Sequence, residues 1–243
     1  MTRKTLLITG ASSGIGAATA VMAASDHDLA LHYNGNRAGV EATALAARAR
    51  GARVSLLRSD LSDPETVTDL FAQFDAAHDR LDGLVNNAGV LDRAQPVTEF
   101  TAARVARIVA VNLTSPMLVA GQAARRMHEG AAIVNISSVA AKFGSPNQYV
   151  DYAATKGGLE VFSKGLAQEL APRGIRVTAV RPGIIATDIH AKGGEPDRVD
   201  RLAPSLPMRR AGTADEVARA VLWLLSDHAS YVTDSVLDVS GGR

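Results

Sequence analysis

What most constrains this chain is the alternation of short apolar runs with segments of helical patterning along its length. The apolar runs are Leu6–Thr9, Leu29–Tyr33, Val54–Leu57, Leu84–Asn86, Ile133–Ile136, Val177–Val180 and Val236–Val239. Between them lie Gly14–Ala24, the alanine-rich Glu41–Arg50, Pro64–Ala77, Ala102–Met127, Asp151–Leu170 and Ala214–Leu225. Asp63-Pro64 and Thr213-Ala214-Asp215-Glu216 are helix-start signals. Such alternation predicts parallel strands joined by helical crossovers. Most of the strands are apolar on consecutive positions, as required when helices cover both faces of a sheet. The expected fold is therefore α/β: a doubly wound, Rossmann-type parallel sheet of about seven strands with helices on both faces. No linker, repeat or low-complexity block divides the chain, so residues 1–243 read as a single domain. Residues 188–210, with Gly193-Gly194, Pro196, Pro204 and Pro207, break the rhythm and are expected to form a mobile substrate loop over the C-terminal edge of the sheet.

Charge narrows the partners. Lys and Arg number 26 against 25 Asp and Glu, a formal charge of +1, which gives no electrostatic argument for nucleic acid or an anionic membrane. The absence of cysteine removes disulfides, thiolate metal sites and a cysteine nucleophile. The six histidines, at 27, 32, 78, 128, 190 and 228, have no paired metal-ligand spacing, so no metal site is expected. The first apolar run, Leu6-Leu7-Ile8, is far too short for a signal peptide or a membrane span. A cytoplasmic protein acting on a small molecule is the expectation.

The first run leads into Thr9-Gly10-Ala11-Ser12-Ser13-Gly14-Ile15-Gly16 and then a helix. Unpaired N–H groups at a helix N-terminus after a first strand suit a dinucleotide's phosphates, and glycine permits the tight turn. The spacing is Gly-x-x-x-Gly-x-Gly rather than the commoner Gly-x-Gly-x-x-Gly. An acidic residue at the end of the second strand would repel a 2′-phosphate. Here the sequence is His32-Tyr33-Asn34-Gly35-Asn36-Arg37, which favours NADP(H), with NAD(H) as the alternative. The alternative reading of Arg37 is the surface start of a helix.

Tyr152 and Lys156 stand four residues apart in a helical segment, on one face. Reducing a carbonyl creates an alkoxide that must be protonated, and a tyrosine serves if nearby positive charge lowers its pKa. Ser138 follows an apolar strand, so its hydroxyl lies at the same sheet edge as the glycine turn and can donate to a substrate oxygen. Asn112 is a polar amide out of pattern in an apolar helix, either a water anchor or the cap of a kink.

Taken in order, these residues resemble the short-chain dehydrogenase/reductase family over essentially the whole chain. Thr9-Gly10-x-x-x-Gly14-x-Gly16 looks like its cofactor turn, which also carries Ser12, Ser13 and Ile15, and Asp60-Leu61 looks like its adenine contact. Asn86-Asn87-Ala88-Gly89 resembles its fourth-strand motif, and Pro182-Gly183 with Ile185 and Thr187 the segment that meets the nicotinamide carboxamide. Asn112, Ser138, Tyr152 and Lys156 match its catalytic tetrad. The resemblance implies that Ser138 orients the carbonyl, Tyr152 exchanges the proton, Lys156 holds the nicotinamide ribose and lowers the tyrosine pKa, and Asn112 anchors a relay water. It also implies a carbonyl or secondary-alcohol substrate and a homotetramer built on the long helices and the last strand. Within the family the chain is similar to 3-oxoacyl-carrier-protein reductases and to glucose 1-dehydrogenase-like sugar dehydrogenases, with Gly144–Asp151 leaning to the latter. A non-catalytic NAD(P)-binding regulator on the same scaffold is the competing reading, and it predicts a broken Ser, Tyr or Lys position.

Overall fold

The computed structural model describes residues 3–243. The strands are β1 (Lys4–Ile8), β2 (His27–Tyr33), β3 (Val54–Arg58), β4 (Gly83–Asn86), β5 (Ala132–Ile136), β6 (Arg176–Pro182), β7 (Ile185–Ala186), β8 (Gly212–Thr213) and β9 (Ser235–Val239). Seven of them form one sheet in the order β3-β2-β1-β4-β5-β6-β9, and β7 pairs with β8 alongside. All the pairings are parallel.

Consecutive apolar residues serve two cores. Successive side chains on a strand point to opposite faces. Leu6 and Ile8 therefore join Leu29, Leu31 and Val134 on one face. Leu7 joins Ala30, Leu84, Ile133 and Val177 on the other. Helices α1 (Gly14–Ala23) and α2 (Arg37–Arg48) cover the first face. Helix α3 (Thr66–Ala77) covers the second.

Two helix starts differ from expectation. Helix α2 begins at Arg37 rather than Glu41 because the Asn36 side chain accepts from the Gly39 N–H at 3.0 Å and caps it. Helix α3 begins two residues after Pro64, because Asp63 heads a separate turn in which the Thr66 N–H donates to the Asp63 carbonyl at 3.1 Å. The stretch read as one helix over 102–127 is interrupted: α4 (Ala102–Val109) and α5 (Ser115–Arg126) are joined by a π turn, Ala110–Thr114. This rod is apolar and long enough to cross a membrane, yet Val119, Ala120 and Ala123 pack on the sheet's second face.

Then come α6 (Ala140–Phe143) and the long α7 (Val150–Leu170), whose Leu166 and Leu170 join the second core. Residues 188–210 contain α8 (Ile189–Lys192), α9 (Arg198–Leu202) and a single turn, Ala203–Ser205. Helix α10 (Ala214–Leu225) opens on the predicted capping box, Thr213 with Glu216, and returns to the first face.

Candidate active site

The sheet reverses its strand order between β1 and β4, and ligands of doubly wound sheets bind beyond the carboxyl ends of the strands at such a point. There the chain leaves β1 through Thr9 and Gly10. Gly10 and Gly14 have φ of +66° and +55°, a conformation that favours glycine. The turn is laced to the end of β4. Thr9 Oγ1 accepts from the N–H groups of Asn87 (2.9 Å) and Ala88 (3.0 Å), while Asn87 Nδ2 donates to the carbonyls of Thr9 (2.9 Å) and Gly10 (3.1 Å). A Cβ on Gly16 would lie 2.4 Å from the Gly10 carbonyl oxygen, so α1 approaches its own turn more closely than any other residue type allows.

His32 supports the turn from β2. Its buried ring accepts the Gly10 N–H at Nδ1 (3.2 Å), which makes Nε2 the protonated nitrogen that donates to the Ser59 carbonyl (3.1 Å). Burial lowers its pKa to about 4, partly offset by the Ser59 carbonyl and the charge of Asp60. Ser13, the N-cap of α1, makes no side-chain capping bond, which leaves the first N–H groups of the helix for an anion. A turn that a Cβ would obstruct and an uncapped helix start together fit the phosphates of a dinucleotide.

A cleft of about 460 Å³ opens from this turn, a volume typical of small-molecule sites. Its walls include Gly10, Ser12, Ser13, Gly14, Ile15, Asn87, Ala88, Gly89, Ser138, Tyr152, Lys156, Pro182, Gly183, Ile185 and Thr187. Gly16 and the fully buried Asn112 stand behind the wall. Asn34, Arg37, Asp60 and Leu61 do not line it. Arg37 is exposed and pairs with Glu41 at 2.7 Å. Asp60 accepts from the backbone N–H and hydroxyl of Ser62 at 3.0 and 2.8 Å, the main reasons its carboxyl is held below the usual range. Leu61 is buried, and its carbonyl takes the Ser115 hydroxyl at 2.8 Å.

Tyr152 and Lys156 project from the first two turns of α7. Lys156 is buried, with Nζ 5.6 Å from the Tyr152 ring centroid and donating to the Ile136 carbonyl at 2.7 Å. Burial lowers its pKa to about 8, against the opposing charge of Glu160. The expected lowering of the tyrosine is reversed among the protein's own groups. Burial pushes Tyr152 up to about 12, and the Ser138 hydroxyl bonded to it offsets only part of that rise. Desolvation disfavours the phenolate, and the neighbouring ammonium is itself weakened by the same dry surroundings.

The start of α7 is fixed by a buried ion pair. Arg104 Nε donates to Asp151 Oδ2 at 2.7 Å, and its Nη1 donates to the Arg93 carbonyl at 2.7 Å and to Gln95. Asp151 Oδ1 then accepts the Tyr152 N–H at 2.9 Å. Asn112 sits in the π turn and brackets Val90, accepting its N–H and donating to its carbonyl, both at 2.9 Å. Its amide therefore holds the segment after β4 instead of capping the kink.

The other side of the cleft was legible in the sequence only as segments, 144–151 and the substrate loop 188–210, and not as individual residues. Phe143, Gln148, Tyr149, Ile184, Arg198 and Arg243 all line it. Tyr149 donates to Glu195 at 2.5 Å and stacks under the Arg198 guanidinium at 5.1 Å. Burial opposes the Glu195 charge, yet Tyr149, Arg201 and Arg198 together hold its pKa at about 2. This cluster ties residues 195–201 to the start of α7. Tyr149 had a further sequence signal, an aromatic one helical turn before Tyr152.

The family model described as enoyl-(acyl carrier protein) reductase matches residues 10–243. The chain is 46% identical to the uncharacterized oxidoreductase YgfF of Escherichia coli, over 98% of each protein. It is 37% identical to the 3-oxoacyl-[acyl-carrier-protein] reductase FabG of Aquifex aeolicus, over 98% of this chain and 96% of that one. A short-chain dehydrogenase from Burkholderia cenocepacia, solved in complex with NADP, superposes with a TM-score of 0.91 at 32% identity, covering 98% of this chain and 97% of that one.

Proposed function

The chain belongs to the short-chain dehydrogenase/reductase family, and from that premise we propose that it is an NADP(H)-dependent oxidoreductase acting on the carbonyl or secondary alcohol of a small molecule. The observation that carries the reading is that Ser138, Tyr152 and Lys156 line one cleft together with the glycine turn. When bound, the cofactor supplies or accepts the hydride. The uncapped start of α1 would hold its phosphates, and residues 182–187 its carboxamide end. Two features support the phosphorylated form: residues 34–37 carry no carboxylate to repel a 2′-phosphate, and the Burkholderia relative was solved with NADP.

In the reducing direction the Ser138 hydroxyl donates to the substrate carbonyl oxygen and polarises it. Tyr152 then passes its proton to that oxygen as the carbon accepts hydride. With its pKa pushed up to about 12, the phenol carries its proton at neutral pH, the form this step needs. Lys156 supplies positive charge beside the tyrosinate that results, and Asn112 keeps the Val90 segment against the cleft. All of the Ser, Tyr and Lys positions are filled, which argues against a non-catalytic regulator.

Tyr152→Phe should lower kcat by about 10²–10⁴-fold while NADPH binding and the melting temperature are retained. Near-normal turnover would overturn the mechanism. Sugars, simple ketones and 3-oxoacyl thioesters assayed with NADPH and NADH sort the substrate classes.

We further propose a homotetramer. Val105, Met117, Leu118 and Val161 are exposed on α4, α5 and α7, and Trp223 and Leu237 on α10 and the edge strand β9, so apolar surface lies where the family's subunits meet. Light scattering at several concentrations reads the stoichiometry.

A further inference from the structure

After β9 the chain turns back through Ser240, Gly241 and Gly242. The two glycines have φ of +64° and +89° and pack on Met208 and Pro207. The Met208 N–H donates to the Gly241 carbonyl at 3.2 Å, and Ser240 Oγ to the Arg243 carbonyl at 3.1 Å. Ser240 also backs directly onto Gly183, where any Cβ would lie 2.8 Å from its Cα. This turn delivers Arg243 into the cleft wall.

The Arg243 guanidinium stands 5.8 Å from the centroid of the Phe143 ring and makes no hydrogen bond or ion pair among the described residues. Burial, together with the charge of Arg198, lowers its pKa from the ordinary value. Arg198 is differently placed: its charge is met by Glu195, and its Nη2 donates to Gln148 at 2.9 Å. The cleft lining carries Lys156, Arg198 and Arg243 against a single carboxylate, the exposed Asp188. A half-buried guanidinium without a counter-ion is costly unless a ligand provides one.

Resting on the oxidoreductase reading, we propose that the substrate of this enzyme carries a carboxylate, which Arg243 receives while Ser138 and Tyr152 engage the carbonyl. The planar fork of the guanidinium matches a carboxylate in two parallel hydrogen bonds. Phe143, Tyr149 and Ile184 also line the cleft and suit an aromatic or alicyclic body. A phosphate would want more donors than this end of the cleft presents, and the phosphate-binding features all lie at the glycine turn.

The test uses the NADP-loaded protein and titration calorimetry with meta- and para-acetylbenzoate, each paired with its primary amide. At least one acid is expected to bind about tenfold more tightly than its amide, as a charge-assisted pair allows. The preference should collapse in Arg243→Gln and be partly kept in Arg243→Lys, which restores charge without the fork. Equal binding of acid and amide, no binding of either acid, or a preference that survives Arg243→Gln overturns the proposal. Hydride transfer from NADPH to the acetylbenzoates and to neutral ketones is measured separately. Its absence with all of them would sink the oxidoreductase reading, whereas activity without acid preference would sink only the carboxylate.

Discussion

His32 couples the stability of this protein to acid in a way that can be isolated by one substitution. Its ring is neutral by construction, since Nδ1 must accept the Gly10 N–H. The folded pKa is about 4 against an ordinary 6.5, so between those values the unfolded chain binds more protons than the native one. A histidine with a lowered folded pKa contributes stability that is intact above the unfolded value and is lost as pH falls toward the folded one. Each pKa unit corresponds to about 1.4 kcal/mol, so the full loss approaches about 3 kcal/mol, of which about 2 kcal/mol is gone by pH 5. In His32→Gln an amide can still accept from Gly10 and donate to Ser59 without titrating. Urea unfolding of both proteins from pH 7.5 to pH 5 should show the wild type losing about 2 kcal/mol more than the variant. His27 and His78, also lowered mainly by burial, are common to both proteins and cancel in the difference. Native His32 stays neutral over this window, so NADPH affinity should not separate the two proteins until the pH approaches 4, where a protonated Nδ1 would repel the Gly10 N–H that shapes the cofactor turn. Parallel stability curves for the two proteins would refute the assignment.

Gly16→Ala places a methyl group 2.4 Å from the Gly10 carbonyl, so α1 must retreat by about 1 Å; the expected cost of about 1–3 kcal/mol exceeds alanine's helix-propensity gain of about 1 kcal/mol. A lower melting temperature and a raised Kd for NADPH check this, and wild-type values for both would contradict it. Arg104→Ala leaves the buried Asp151 carboxylate unpaired one residue before Tyr152, which should cost about 3–5 kcal/mol, while Arg104→Met with Asp151→Asn should recover much of it. Denaturation midpoints that place the single and double variants together would show that the pair is not coupled.

The sheet was legible because each strand must satisfy two cores: Leu6-Leu7-Ile8 cannot alternate with polar residues when both faces are covered. Helix ends were less legible where a side chain rather than a propensity decides, as Asn36 does for α2. Tyr152 and Lys156 could be paired by counting, since one helix carries both. Arg198 and Arg243 could not, because each reaches the cleft from a distant segment through backbone turns that no periodicity encodes. Among the protein's own groups burial pushes the Tyr152 pKa up, a contribution the sequence does not reveal because charge can be read from it and dehydration cannot.

The π turn at Ala110–Thr114 sets an angle as well as a bend. An α-helix advances about 100° per residue, so in an uninterrupted helix Ala123 would stand about 100° around the axis from Arg104. The extra residue taken up by the π turn cancels that offset and brings the two onto one line, with Val119 and Ala120 on either side of it. One rod thereby aims Arg104 at Asp151 and Ala123 at the sheet together. Its residue count is thus fixed more tightly than its composition. Deleting any single residue between 109 and 115 would preserve the apolar content of α5 and yet rotate its seam out of the core, whereas substitutions on the outer face leave that phase untouched.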